Sequence, residues 1–205
     1  SRSAGFCVAT TTPRPKAQSS AIEETAAYTA ELLRAEGFEV QVLQKKGQGF
    51  PVVCGEQRGR GPRTLLFYNH YDVQPPDPLE EWTSPPFEPQ RRGDNVYGRG
   101  VSDDKGNIVS RLLLVRALKH VFGELPCNVK FCIEGDEEIG SPEIAPFVAK
   151  HRELLRADAC VWEWGHALWD GSPTLMLGVK GLLCLDLVVR GPNRDVHSSY
   201  GTVVP

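Results

Sequence analysis

The chain has 205 residues, 40% of them hydrophobic, and a formal net charge of −3. That is enough apolar material for one substantial core and part of another, and it offers no basic surface of the kind that phosphate backbones or anionic lipids require, so nucleic acid and membrane are not expected as partners. No apolar run nears the roughly 18 residues of a membrane span, and the opening SRSAGFCVATTTPRPKAQSS lacks the apolar stretch of a secretion signal, so a cytoplasmic location is expected.

Ser20 with Glu23 fits a capping box, and Ile22, Ala26, Ala30 and Leu33 follow at helical spacing until Gly37 supplies a C-terminal cap. The stretch FEVQVL (38–43) alternates Phe38, Val40 and Val42 onto one face, and PVVCG and TLLFY read as the next strands. Residues 74–93, QPPDPLEEWTSPPFEPQRRG, form a Pro-rich loop too long to be idle in a compact domain, packed by Trp82 and Phe87 and suited to wall a cleft. A second helix runs from Asp104 to Phe122 with Ile108, Leu112, Val115 and Leu118 at helical intervals, and the apolar residues around them mark it as heavily buried. Strand NVKFCI follows, then a third helix with Pro142 in its first turn and Ile144, Phe147, Val148, His151 and Leu155 along it, then strand ACVWEW.

This alternation predicts an α/β fold, a sheet covered by helices on both faces. Of the six cysteines, Cys132, Cys160 and Cys184 lie in apolar strand-like runs and read as buried free thiols. The final LLCLDLVVRGPNRDVHSSYGTVVP begins with an alternating strand that has no following partner, so the chain reads as ending inside a second domain.

Four polar clusters fall at carboxyl ends of strands or amino ends of helices, the edge where open α/β sheets bind ligands. They are NHYDVQP, GRGVSDDKGN, EGDEEIGS and EWGH. His70 and Asp72 stand two apart, so in an extended segment both point to one side and the carboxylate can orient the imidazole, as it does for metal-ligating histidines. For that pair alone, a turn with an uncommitted histidine is the commoner reading. Asp103 equally fits a helix cap, and Asp104 a first-turn acid favoured by the helix dipole. Glu137 and Glu138 fit either a solvated acidic turn or a cation site. Glu163 reads alone as an edge-strand acid, and His197 as a loop residue or a substrate contact. Together, one imidazole and several carboxylates at one sheet edge form an oxygen-rich set with a nitrogen, suited to Zn²⁺, Mn²⁺ or Co²⁺, and two cations sharing a carboxylate would let so many acids remain ionised.

In this order, NHYDVQP, YGRGVSDDKG, EGDEEIGS and GVKG followed by VRGPNRDVHSS resemble the zinc exopeptidase and amidohydrolase family of carnosine dipeptidases, aminoacylase, glutamate carboxypeptidase and succinyl-diaminopimelate desuccinylase, with the dipeptidase branch nearest. The resemblance covers about residues 20–205. It implies a mixed, largely parallel sheet sandwiched by helices over residues 1–179, and the first strand of an α+β lid and dimerisation domain over 180–205. It implies two Zn²⁺, with Mn²⁺ or Co²⁺ as alternatives. His70 and Glu163 would serve one ion, Glu138 the other, and Asp103 would bridge them, with Asp72 supporting His70. Glu137 would be the general base toward a water between the ions, attacking an amide of a small peptide or, alternatively, of an N-acyl amino acid. His197 would reach a partner's site in a homodimer. The family's last histidine ligand has no counterpart before Pro205, so the 205 residues alone are expected to bind metal weakly and to show little activity. A non-catalytic binding module on the same fold is the rival, and the presence of Glu137 beside Glu138 speaks against it.

Overall fold

A computed structural model describes residues 16–45, 48–163, 165, 167, 168, 170–178, 180, 181, 183–188, 197 and 199. The chain divides into two compact units, Ser1–His166 and Ala167–Pro205.

In the first unit, helix α1 (Lys16–Ala35) is followed by β1 (Glu39–Lys45), β2 (Gln48–Gln57) and β3 (Thr64–His70). A small hairpin, β4 (Gln90–Arg92) and β5 (Asn95–Tyr97), precedes helix α2 (Lys105–Phe122) and strand β6 (Asn128–Glu134). Two short helices, α3 (Ile144–Lys150) and α4 (Arg152–Leu155), lead to β7 (Ala159–Val161). The five-stranded sheet has the order β1-β2-β6-β3-β7. It is mixed: β1 with β2 and β2 with β6 run antiparallel, whereas β3 is parallel to both β6 and β7.

Alternation sorts each strand's side chains onto two faces. Val53, Phe67, Val129, Phe131 and Ile133 meet Ile22, Ala26, Ala30 and Leu33 of α1 and Ile108, Leu112 and Val115 of α2 in the larger core. Phe131 lies at its centre, edge-on to Phe38 at 5.3 Å and tilted against Phe67 at 5.2 Å. On the other face, Val52, Cys54 and Cys132 pack with Leu66, Ile144, Phe147, Leu154 and Leu155 under α3 and α4. Helices therefore cover both faces, as the alternation predicts.

Several expectations are corrected. Helix α1 already contains Ser20, so Ser20 is not its N-cap. The N-cap of α2 is Asp104, one residue later than the Asp103 expected, because Asp104 turns into the protein while the Asp103 side chain is 69% exposed. A helix lying on one sheet face buries one stripe, so α2 is not buried all round: Val109, Leu113, Leu114, Val121 and Phe122 are exposed. The third helix is two helices that meet at His151; Pro142 precedes the first, and Pro146 sits in its opening turn, where a missing N–H forfeits no helical bond. Cys132 is buried as expected, but Cys160, on the exposed three-residue β7, and Cys184 are exposed.

In the second unit, Ala167 and Pro173 form an isolated antiparallel bridge around a turn closed by Gly171 N–H to Leu168 O at 2.9 Å. Residues 183–188, where alternation predicts a strand, carry no regular secondary structure, and Leu183, Leu185 and Leu187 are exposed. A strand needs a paired neighbour, and none stands beside these residues among those described.

Candidate metal centre

Because β3, β6 and β7 run parallel, their carboxyl ends open at one edge. His70 is the last residue of β3 and pairs in register with Glu134 at the end of β6. The turn Glu137–Ile139 follows β6, Glu163 follows β7, and α2 begins at the same edge with Asp103 and Asp104 before it. The Asp103–Asp104 peptide bond is cis. Gly106 allows this approach: a Cβ there would lie 2.0 Å from the Val101 carbonyl oxygen, so any side chain would push away the loop that carries Asp103.

His70 is 1% exposed and ringed by carboxylates. Its Nε2 lies 2.8 Å from Asp103 Oδ1, 3.7 Å from Glu163 Oε2 and 3.8 Å from Glu137 Oε2. On the other side of the ring, Nδ1 is 3.1 Å from the Asp72 backbone oxygen and 3.4 Å from its carboxylate. Two overlapping groups, His70 with Asp104 and Glu163, and His70 with Asp103 and Glu138, each offer ligand atoms within 4.8 Å of one another.

The acids here are far from comfortable without a cation. Burial works against a charged imidazole, yet the hydrogen bonds to Asp103 and Asp72 prevail and raise the His70 pKa to about 11. The same His70 contact lowers the pKa of Asp103. Burial lifts Glu163 to about 7, against the pull of His70 and with help from Glu137, Asp104 and Asp103. Glu137 is raised as well, first by burial and then by Glu138, Asp72 and Asp103, again against His70. A proton on His70 therefore stands in for a cation.

The donor set fits a divalent metal. Glu163 Oε2 is buried and has no hydrogen-bond partner, which a carboxylate oxygen tolerates poorly unless a cation takes that place. Asp104 fits less well than Asp103, since its oxygens already accept from Asn69 Nδ2 at 2.5 Å, the His70 backbone N–H at 3.1 Å and Asn107 Nδ2 at 2.7 Å.

The structure thus brings His70, Asp72, Asp103, Glu137, Glu138 and Glu163 to one edge. Asp72 does more than face the imidazole: its carboxylate accepts the backbone N–H groups of Glu137 and Glu138, 65 and 66 residues away in the chain. His197 belongs to the second unit, where its Nδ1 accepts the Ser199 backbone N–H at 3.2 Å. Trp164 and His166 lie outside the described residues, as does most of the run from 189 to 200.

Residues that the sequence did not single out also shape this edge. Gln74 Nε2 donates to Glu138 Oε2 at 2.8 Å, and Tyr68 OH and Ser141 Oγ both donate to the buried Glu134. The Pro-rich loop folds back through Trp82 Nε1 to Pro76 O at 2.7 Å and Arg99 over the Trp82 ring at 5.2 Å. A groove of about 410 Å³ opens along it, lined by Trp82, Arg92, Tyr97, Val101 and Ser102, and runs up to the residue before Asp103.

The sequence profile of Peptidase family M20/M25/M40 matches residues 66–180, a span that begins within β3 and takes in His70, Asp103, the glutamate pair and Glu163. The chain belongs to this family. It is 32% identical over 203 residues to a Cys-Gly metallodipeptidase of Schizosaccharomyces pombe, covering 94% of this chain and 42% of that protein. It is 30% identical over 165 residues to the Homo sapiens Beta-Ala-His dipeptidase, covering 77% of this chain and 32% of that protein. Among solved structures, the M20 family metallo-carboxypeptidase Sso-CP2 of Sulfolobus solfataricus aligns with a TM-score of 0.73 and 39% identity over 90% of this chain and 42% of its own. Human carnosine dipeptidase 1 aligns with a TM-score of 0.70 and 26% identity over 78% of this chain and 36% of its own. The family and its dipeptidase branch are those the motifs indicate, and the chain spans less than half the length of these relatives.

Proposed function

We propose that the protein is a metal-dependent hydrolase of the amide bond in dipeptides or short peptides, with residues 1–179 belonging to its catalytic domain and 180–205 to a lid and dimerisation domain. One observation carries the reading: the carboxylates of Asp103, Glu137 and Glu163 converge within 3.8 Å on the buried Nε2 of His70, while Glu163 Oε2 is buried without a hydrogen-bond partner. The likeness to a Cys-Gly metallodipeptidase and a Beta-Ala-His dipeptidase supports a dipeptide as substrate.

In this reading His70 and Glu163 would hold one Zn²⁺ and Glu138 the other, with the Asp103 carboxylate available to both. The ions, when bound, would acidify a water and polarise the scissile carbonyl. Glu137 takes the proton from the attacking water and returns it to the leaving nitrogen, and the burial that raises its affinity for a proton suits both steps. Asp72 holds the turn that presents Glu137, because its oxygens accept the N–H groups of Glu137 and Glu138 at 3.3 and 3.0 Å. His197 contacts the substrate carbonyl across a homodimer. A cytoplasmic setting is part of the proposal. No helix among the described residues is long and apolar enough to cross a membrane.

Elemental analysis and hydrolysis of Gly-containing dipeptides test the proposal on the 205-residue chain and on a chain extended to the length of its relatives. About two metals and turnover are expected of the longer chain, with weak metal binding and little turnover in the shorter one. A longer chain that holds no metal and stays inert overturns it.

A further inference from the structure

Arg111 lies on α2, is 8% exposed and donates no hydrogen bond to a candidate ligand. One nitrogen of its guanidinium, Nη1, donates to the Tyr68 carbonyl at 2.8 Å and to Asn69 Oδ1, and Nη2 donates to the Trp162 carbonyl at 2.5 Å. The group also lies 5.3 Å from the centre of the Phe67 ring. Each acceptor sits beside the centre: Tyr68 and Asn69 precede His70 on β3, and Trp162 precedes Glu163 after β7.

The chain of bonds goes one step further. A guanidinium can only donate, so the Asn69 atom facing it must be the amide oxygen, which turns Asn69 Nδ2 toward Asp104. That nitrogen donates to Asp104 Oδ2 at 2.5 Å, and the same oxygen accepts the His70 backbone N–H at 3.1 Å. Asp104 is in turn the residue after Asp103 and the N-cap of α2.

We propose that Arg111 is a positioning residue of the metal centre: its guanidinium fastens together the ends of β3 and β7 and the start of α2, the three segments that carry His70, Glu163 and Asp103. The proposal rests on the metal-dependent reading above. The planar fork is what the task requires, because two acceptors on β3 and one just after β7 lie within reach of one rigid group, whereas the single ammonium of a lysine cannot span them in the same geometry. Partners of this kind, which hold ligand-bearing segments in place without binding the metal, are typically worth 10–100-fold in metal affinity.

The test, on the chain extended to the length of its relatives, compares the wild type with Arg111→Lys and Arg111→Met, following Zn²⁺ affinity by calorimetry, exchange of the His70 backbone N–H in the metal-free chain, and global unfolding by circular dichroism. A positioning role predicts a Zn²⁺ dissociation constant weakened by about 10–100-fold, with His70 exchange accelerated selectively beyond the change in global stability and Arg111→Lys intermediate. If His70 exchange and Zn²⁺ affinity stay at wild-type values in a folded variant, or if exchange rises only in step with global unfolding, the proposal fails. Should Arg111→Met not fold, Arg111→Lys decides by the same criteria. A wild-type chain extended to the length of its relatives that takes up no Zn²⁺ sinks the metal reading, while the exchange comparison still judges whether Arg111 holds His70.

Discussion

Asp72 and Glu138 are joined by a 3.0 Å hydrogen bond from the Glu138 backbone N–H to Asp72 Oδ2, so the loop after β3 grips the turn after β6. The other oxygen of Asp72 accepts the Glu137 N–H. Asp72→Asn replaces one of these acceptors with a donor facing an N–H group. Zn²⁺ affinity is expected to fall by about 10–100-fold while the variant remains folded. Calorimetric titration checks this, and equal affinities would remove Asp72 from the centre.

Metal uptake should release protons. His70 carries its proton up to about pH 11 and Glu163 up to about 7 in the metal-free protein, whereas metal ligands must be deprotonated. Titration with Zn²⁺ in buffers of different ionisation enthalpy is expected to show about one proton released near pH 9 and close to two near pH 6. A proton count of zero at both would show that the metal binds elsewhere.

The same two groups set the pH dependence of the metal-free fold. Both pKa values are raised on folding, so the native state binds more protons than the unfolded chain, and stability falls as pH rises through each window. The Glu163 contribution is lost from 4.5 to about 7, and that of His70 is complete below 6.5 and gone above about 11. Urea titrations across pH should therefore show a decline on the alkaline side that His70→Gln flattens.

Glu163→Gln should separate stability from binding. It removes a half-buried charge whose Oε2 has no hydrogen-bond partner, so the metal-free chain is expected to gain about 0.5–2 kcal/mol. Zn²⁺ affinity is expected to drop at the same time. A fall in both quantities would mean that Glu163 serves the fold rather than the metal.

The two faces of α2 offer a control on the packing. Phe131→Ala, at the meeting point of both helices with the sheet, is expected to cost about 3–5 kcal/mol in urea unfolding. Phe122→Ala, on the outer side and 54% exposed, should cost much less. Comparable losses would contradict the one-sided burial of the helix.

Much of this was legible because local chemistry and tertiary structure agree. The apolar runs of β3 and β6 end where polar residues begin, and parallel pairing then brings their ends together, so His70 and the glutamate pair could be placed at one edge from pattern alone. The metal-ligand assignments rested on family motifs, since each acid by itself had a plainer explanation. What pattern could not reveal were bonds between distant segments. Asp72 with the Glu137–Glu138 turn, and Arg111 with Asn69 and Trp162, have no periodicity to announce them. Nothing in the sequence distinguishes Arg111 from other helix arginines, and only the closeness of β3 and β7 makes it a hub. The expected burial of Cys160 and heavy burial of α2 failed for a related reason: hydrophobicity shows that a residue can be buried, while the number of layers packed around it decides whether it is.

Strand β3 pairs with β6 along its whole length, His70 included, and with β7 over Leu65–Phe67. An imidazole on so well-anchored a strand does not wait to be ordered by its ligand, so an arriving ion meets a ring already in place. If His70 is a ligand, as proposed, an ion has to displace the proton that the ring holds, and that departure is expected to be the slow event in capture. Capture rates should accordingly respond to the concentration and strength of the bases in solution, and hardly at all to viscosity.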